Sequence, residues 1–344
     1  MKSLPIILIT LLLFQCQPPT EKKHTAPANP KSFTIAFGSC NDQDLPQPMW
    51  DEIVDEQPDL WIWLGDNIYG DSEIVDTLIA KYNRQIENEG YQKLLANTPI
   101  IGTWDDHDYG KNDGGEEFLP KEESQQAMFD FLGVATDDPV RDKAGVYSAH
   151  SYTVGSAKVK VILLDSRYHR GALERIDEVY YPNETGTVLG EVQWAWLENE
   201  LTNSDADIHL IGNGIQVISM EHPFEKWQNF PNERERLFEL VKKTQAPGVI
   251  FLTGDRHIAE VSELDYEGVS YSLRDITSSG LTHSYEAAGA EVNKYRISPL
   301  IGMKNYGVLT FTLQESKLKV DAKIKGLNDT TFFHNPWEYP VIGN

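Results

Sequence analysis

Apolar residues in this chain gather into short unbroken runs, and longer stretches of mixed apolar and polar residues separate them. The runs lie at 33–38, 60–64, 99–104, 158–165, 208–218 and 248–253, each rich in Ile, Val, Leu, Phe or Trp. Unbroken runs of this length read as strands buried on both faces, the habit of parallel sheets. Helical spacing marks the intervening stretches 47–56, 72–96, 121–132, 190–202 and 232–244. In 190–202 the predicted buried stripe is Val192, Trp196, Leu197 and Leu201, with glutamates on the other face. After residue 260 the rhythm shortens to alternating segments, YSLRDIT and GVLTFTL, which suit antiparallel strands. The pattern predicts an α/β chain in which a layered sheet sandwich carries helices outside, rather than a simple doubly wound sheet.

The N-terminus breaks this pattern. Lys2 precedes the apolar run IILITLLLF, which is too short to span a bilayer, and LFQC follows. Residues 1–16 therefore read as an export signal of the lipoprotein type, with Cys16 as the lipidated first residue of the mature chain. Gln15 stands where such signals usually carry a small residue, and a plain secretory signal cut slightly later is the alternative. Residues 17–31 hold four prolines and no apolar period, and read as a flexible tether. Residues 32–325 then form one domain without internal repeat, and 326–344 a C-terminal tail packed on it. The reading places the protein in the periplasm or on the cell surface.

Composition narrows the partners. The 344 residues carry 40% hydrophobic residues and a formal charge of −23, enough for a large core and repulsive toward nucleic-acid backbones. The two cysteines, Cys16 and Cys40, imply no disulfide framework.

Four of the apolar runs stop on metal-seeking side chains: Cys40 after FTIAFGS, GDNIYG after DLWIWL, WDDHDYG after TPIIGT, and GDRH after GVIFLT. Open α/β sheets bind ligands at the carboxyl ends of their strands, which is where these clusters fall. Asp66 and Tyr69 follow one tight glycine turn. A carboxylate can bridge two cations, and a phenolate near neutral pH calls for a hard, highly charged ion such as ferric iron. Asp105, Asp106 and Asp108 flank His107, too much negative charge to bury without a cation. Asp255 and His257 sit two apart and can serve neighbouring metal positions.

Taken in order, GSC, GDNIYG, WDDHDYG, LDSRYHR, LGEVQWAWLENEL and GDRH resemble the PhoD-like alkaline phosphatase family, a branch of the metallophosphoesterases related to purple acid phosphatases. The resemblance covers most of residues 36–260. It implies a metallophosphoesterase-type two-sheet β-sandwich flanked by helices, a four-layer α/β/β/α arrangement. It also implies a ferric ion (Fe3+) on Cys40, Asp66, Tyr69 and His257, with Asp66 bridging to a second position formed with Asp106 and Asp255. Carboxylates stand there in place of the Asn and His of the wider superfamily, which favours calcium (Ca2+). A third cation, also calcium in the family, falls to Asp105 or Asp108.

The expected activity is hydrolysis of phosphomonoesters, and of phosphodiesters, by a metal-bound hydroxide. His107 is the candidate for protonating the leaving group, and Arg167 and Arg170 for supplying positive charge to the substrate. Asn67, Asn213 and Gln216 are candidates to complete the inner shell, and Trp227 for a substrate wall. Larger family members carry an extra N-terminal β domain and a covering C-terminal segment, so the expected site is more open. Small phosphate esters or phosphorylated polymers are the expected substrates. A nuclease or lipid phosphodiesterase with the same metal centre, and a non-catalytic surface-binding lipoprotein, are the alternatives.

Overall fold

The computed structural model describes residues 31–177, 179–286 and 291–342. The signal at 1–16, its Cys16, and all but the last residue of the 17–31 tether lie outside the described residues. Two six-stranded sheets face each other. In the first, β1 (Ser32–Gly38), β2 (Leu60–Leu64) and β3 (Ile100–Thr103) run parallel. The antiparallel strands β12 (Tyr306–Gln314), β13 (Lys317–Lys325) and β14 (Thr331–Pro340) extend it on the β1 side. In the second, β5 (Ala157–Leu163), β8 (Ile208–Asn213), β9 (Val249–Thr253) and β11 (Leu273–Ser278) are parallel neighbours, edged by antiparallel β4 (Ser148–Val154) and β10 (Ala259–Leu264).

The unbroken apolar runs are explained by the two faces they cover. Ile35 and Phe37 of β1 and Leu60, Ile62 and Leu64 of β2 point inward to meet Val159, Val161, Leu163, Leu210 and Leu252 of the second sheet. Ala36, Trp61 and Trp63 point outward into a second cluster with α1 (Met49–Asp55), α2 (Val75–Ile86), α3 (Glu89–Leu95), α4 (Asp106–Tyr109) and α5 (Lys121–Phe131). Trp50 of α1 lies 5.4 Å from the Trp61 ring and 5.5 Å from that of Trp63, edge-on to both. Such aromatic pairs add about 0.5–1.5 kcal/mol each beyond the area they bury. On the far side, Ile162, Ile211 and Phe251 pack against α6 (Gly190–Thr202) and α7 (Pro231–Thr244). The order is helices, sheet, sheet, helices.

Local differences from the sequence reading have local causes. The single helix expected over 72–96 starts at Val75 and breaks after Ile86, because the Asn88 side chain accepts the Tyr91 N–H at 3.0 Å and opens α3 as its N-cap. The strand expected over 208–218 ends at Asn213: the buried Asp275 carboxylate takes the N–H groups of Val217 and Ile218, so that stretch leaves the ladder. On α6 the buried stripe is Gln193, Trp194, Leu197 and Leu201, whereas Val192 is 69% exposed. YSLRDIT forms β11, antiparallel to β10 but parallel to β9. Residues 331–340, read as part of a packed tail, are strand β14, whose Trp337 and Tyr339 reach the inter-sheet core. A small hairpin, β6 (Glu174–Ile176) with β7 (Val179–Tyr181), stands apart from both sheets. Among the described residues no helix is long and apolar enough to cross a membrane.

Candidate metal centre

The loops that leave the carboxyl ends of β1, β2, β3 and β9 meet above the sandwich. Turning a side chain back over the sheet edge within two to four residues of a strand requires a sharp reversal. Cys40, Asp66, Asp255 and His257 achieve it with φ of 57°, 48°, 68° and 52°, and Asp113 in the loop after α4 has 53°. Non-glycine residues rarely occupy this left-handed region, at a cost of about 1–2 kcal/mol each, and they gather at functional sites. Gly65, at φ 93°, lets the β2 loop press against Asp105, where any Cβ would collide.

One group joins Cys40, Asp66, Tyr69 and His257. The Asp66 Oδ2 atom lies 3.5 Å from Cys40 Sγ and 3.3 Å from the Tyr69 hydroxyl, which sits 2.9 Å from His257 Nε2. The ligating atoms of Cys40, Asp66 and His257 lie within 4.8 Å of one another. Two further groups meet the same limit, Asp66 with Asp106 and His107, and Asp106 with Asp113 and Glu225. Asp66 and Asp106 each belong to two groups, so the three form a chain of adjoining positions. Asp255 lines the same cleft, beside Asp106.

Protonation follows from this crowding. Burial pushes the Cys40 thiol up, with Asp66 and Asp255 adding to it, and burial with the Cys40 and Asp66 charges pushes the Tyr69 phenol well above its ordinary value. Burial raises Asp66 to about 8. His257 is pushed down to about 3 by burial and by His283 and His107, so its ring is neutral. Burial works against charge on His107 too, but Asp66, Asp71 and Asp106 outweigh it and lift this ring to about 10. A cluster in which thiol, phenol and carboxyl all resist ionisation, beside a neutral imidazole, is a donor set waiting for cations. A buried oxygen without a hydrogen-bond partner among the described residues, Asp106 Oδ1, fits the same reading.

The remaining candidates have other partners. Asp108 accepts the backbone N–H groups of Asp66 at 3.2 Å, Asn67 at 3.2 Å and Asp105 at 2.7 Å, and the Asn67 Nδ2 at 2.6 Å. That carboxylate braces the two ligand loops against each other and has little capacity left for a cation. Asp105 receives Arg167 through Nε at 2.6 Å and Nη2 at 2.5 Å on a single oxygen, and its Oδ2 has no partner among the described residues. It belongs to none of the three ligand groups. Arg167, fully buried, also holds Glu225 at 2.6 Å, and Arg170 reaches Glu225 at 3.2 Å and the carbonyls of Gly171 and Asp113. Both arginines, expected to face substrate, fix Asp105, Glu225 and the Asp113 loop, and Arg167 Nη2 and Arg170 Nε have no hydrogen-bond partner among the described residues.

The amide N–H groups of Asn67 and Gln216 are held inside the protein, Asn67 by Thr103 and Asp108, Gln216 by Glu260 and Thr277, while their buried oxygens, Asn67 Oδ1 and Gln216 Oε1, have no hydrogen-bond partner among the described residues. Asn213 accepts from Trp227 Nε1 at 3.0 Å, and its own Nδ2 is unpartnered among the described residues. That bond takes Trp227 out of the cleft; it is fully buried. His107 does line the cleft, its Nδ1 held by Asp71 at 2.7 Å.

Sequence reasoning missed Asp71, Asp113, Glu225 and Arg256. Asp113 had a faint signal in NDGG, a turn sequence that tolerates left-handed backbone. Arg256 lies inside GDRH. Nothing in EHPFEKW marked Glu225, which is brought in by a loop crossing from the second sheet.

A sandwich of two mixed sheets clad by helices, with a Cys, His, Asp and Glu cluster over the strand ends, defines a metallophosphoesterase-type architecture. The model of the PhoD-like phosphatases matches residues 35–322, and the chain belongs to that family. It is 27% identical over 307 residues to alkaline phosphatase D of Bacillus subtilis (strain 168), a match that covers 74% of this chain and 52% of that protein. The chain thus spans about half the length of that relative. The solved structure of PhoD superimposes with a TM-score of 0.73 at 20% identity, covering 91% of this chain and 69% of that one. The family is metal-dependent, and this fold assembles ligand groups suited to metals.

Proposed function

We propose that this chain is a phosphoric ester hydrolase acting on phosphomonoesters, and on phosphodiesters, in the cleft of about 640 Å³ lined by Asp106, His107, Asp113, Glu225, Asp255, Arg256 and His257. The observation that carries the reading is the row of three ligand groups sharing Asp66 and Asp106 along one cleft. Ferric iron suits Cys40, Asp66, Tyr69 and His257, since a raised phenol and thiol ionise only beside a strongly charged ion. Calcium suits the oxygen donors of Asp66 and Asp106, with Asp255 beside Asp106 in the cleft although in none of the three groups, and a further calcium those of Asp106, Asp113 and Glu225. Bound there, these ions supply an activated water and neutralise phosphoryl oxygens.

The chain's own groups do the rest. With Nδ1 fixed by Asp71 at 2.7 Å, His107 turns Nε2 to the Asp106 side as the proton donor for the departing alcohol. Arg167 and Arg170 act through Asp105 and Glu225, keeping those carboxylates at fixed separation. The Asp108 brace fixes the β2 loop against the β3 loop, so Asp66 and Asp106 cannot drift apart.

The test joins metal analysis of the purified protein to phosphate release from nitrophenyl phosphate and its bis ester. Iron and calcium with monoester turnover support the reading. A colourless protein that releases no phosphate after both metals are supplied refutes it and returns the binding-lipoprotein alternative. Negligible cleavage of the bis ester removes diesters from the substrate class. We also propose export and lipid attachment at Cys16, on the strength of the IILITLLLF run and LFQC. Labelled palmitate that fails to incorporate in cells, in a protein released in soluble form, would refute the anchor.

A further inference from the structure

We propose that Phe224 and Tyr285 form an aromatic subsite at the mouth of the cleft that selects phosphate esters whose leaving group carries a planar ring, an aryl group or a nucleobase. The proposal rests on the phosphoesterase reading and adds its substrate class.

Both rings line the cleft and remain 41% and 44% exposed, in a structure that buries most of its large aromatics. Their centroids lie 6.5 Å apart with planes at 79°, an L-shaped corner that offers a face from one ring and an edge from the other. A planar ligand can stack on the first and receive the second edge-on, the two geometries aromatic pairs prefer.

The corner is also held still, which exposed aromatics usually are not. The Arg256 guanidinium lies 4.3 Å from the Phe224 ring centre, and Arg256 is itself buried and bound to Glu291 at 2.5 Å. His222 stacks with the Phe224 ring at 6.2 Å and 29°. The next residue, Glu225, is clamped by Arg167 at 2.6 Å. Tyr285 donates its backbone N–H to the His257 carbonyl at 2.6 Å, so it moves with the ligand loop after β9. Each ring is thus tied to a candidate ligand, Phe224 to Glu225 and Tyr285 to His257. A phosphoryl group on cations held by Asp106 and Asp255 would have this corner within the same cleft for its ester substituent. A flexible aliphatic alcohol offers no face to stack, whereas every nucleobase and aryl group does.

The test uses phosphonates, whose C–P bonds are not hydrolysed. Benzylphosphonate, propylphosphonate and 5′-deoxy-5′-(phosphonomethyl)adenosine, in which CH2 replaces the bridging ester oxygen, are titrated calorimetrically into the metal-loaded protein, and turnover of phenyl, adenosine and glycerol phosphates is followed in parallel. Ring-bearing ligands should bind roughly five- to twenty-fold more tightly than propylphosphonate, the size of one aromatic stacking contact. Phe224→Leu, which keeps bulk but lacks a π face, and Tyr285→Leu should each lower that ratio several-fold while propylphosphonate affinity stays within about twofold. Preference for both rings identifies a general planar-ring subsite, and preference for the adenosine ligand alone identifies a nucleobase subsite; either supports the proposal. Turnover with no ring preference, or a preference unchanged in both leucine variants, overturns the subsite and leaves the enzyme reading intact. Absence of both phosphonate binding and turnover overturns the enzyme reading and this proposal together.

Discussion

Arg167→Met separates the positioning role the structure gives this residue from the substrate contact its sequence context invites. The guanidinium is fully buried and makes one hydrogen bond to Asp105 at 2.6 Å, with a second nitrogen in ion-pair contact with the same oxygen at 2.5 Å, and one hydrogen bond to Glu225 at 2.6 Å. Methionine fills much of the same volume but leaves Asp105 with no counter-charge. Glu225 keeps Arg170 at 3.2 Å, so the Asp105 half dominates the loss. Stranding one partner of a buried pair costs about 3–5 kcal/mol, which lowers Tm by roughly 5–8 °C for a domain of this size. The penalty depends on pH. Burial already raises Asp105, and Arg167 is the main force holding it down. Without Arg167 the folded protein binds an extra proton that the unfolded chain releases near pH 4, so the variant loses stability as pH rises, and its deficit is larger at pH 8 than at pH 5. Urea unfolding at both pH values, with chelator and then with calcium, measures it. Calcium should recover more stability in the variant than in the wild type, because the stranded carboxylates attract it. A loss under 1 kcal/mol at pH 8, with a raised KM and unchanged kcat, would mean that Arg167 serves the substrate, and the buried-pair reasoning would fall.

Metal-free protein should itself lose stability as pH climbs from about 4 to about 8. Burial raises Asp66 to about 8 and Asp108 to about 7, so the fold holds protons that the unfolded chain has given up, and chelator-treated samples should melt lower at pH 8 than at pH 5 until cations abolish the trend. Tyr69→Phe keeps the ring but removes the phenol, and a visible absorption band in iron-loaded wild type should vanish from the variant's spectrum; a band that survives excludes Tyr69 as its source. Asp255→Gly relieves a left-handed backbone at φ 68° and removes a carboxylate crowded by Asp106, so thermal melts of the metal-free variant should rise by about 1 kcal/mol or more while cation-induced stabilisation shrinks. Asn88→Ala deletes the α3 cap and should cost about 1 kcal/mol in urea unfolding without altering metal content.

Much of the fold was legible because its strands are buried on two faces. Trp61 and Trp63 face helices while Leu60 and Ile62 face the other sheet, and only a sandwich of this kind asks for such a run. Where the reading slipped, a single side chain overrode the pattern: Asn88 capped a helix inside helical spacing, and Asp275 drew Val217 and Ile218 out of a strand. For the site, residues within four positions of a strand's carboxyl end could be read, since the sheet fixes where they emerge. Cys40, Asp66, Asp106 and His257 fall in that class. Glu225 and Asp113 arrive on long loops, and their positions depend on Arg167, Arg170 and Tyr180 reaching them from elsewhere. The roles of the arginines were hidden for the same reason, because a sequence shows that a guanidinium is near a site but not which carboxylate will claim it.

The backbone itself records the demand of the site. Cys40, Asp66, Asp113, Asp255 and His257 all hold positive φ, where glycine would be free of strain. Glycine has no donor atom, so each position trades backbone comfort for a ligand. At about 1 kcal/mol apiece the five cost on the order of 5 kcal/mol, comparable with the whole stability of a modest domain. They persist because the strands feeding them are anchored in the inter-sheet core and because Asp108 and Arg167 tie the loops from the other side. Cations that bind only the folded chain would offset the same strain. The loops are therefore strained and charge-crowded in the same few residues, which is where a protein concentrates cost when the geometry of a bound metal, rather than the stability of the empty fold, has been selected.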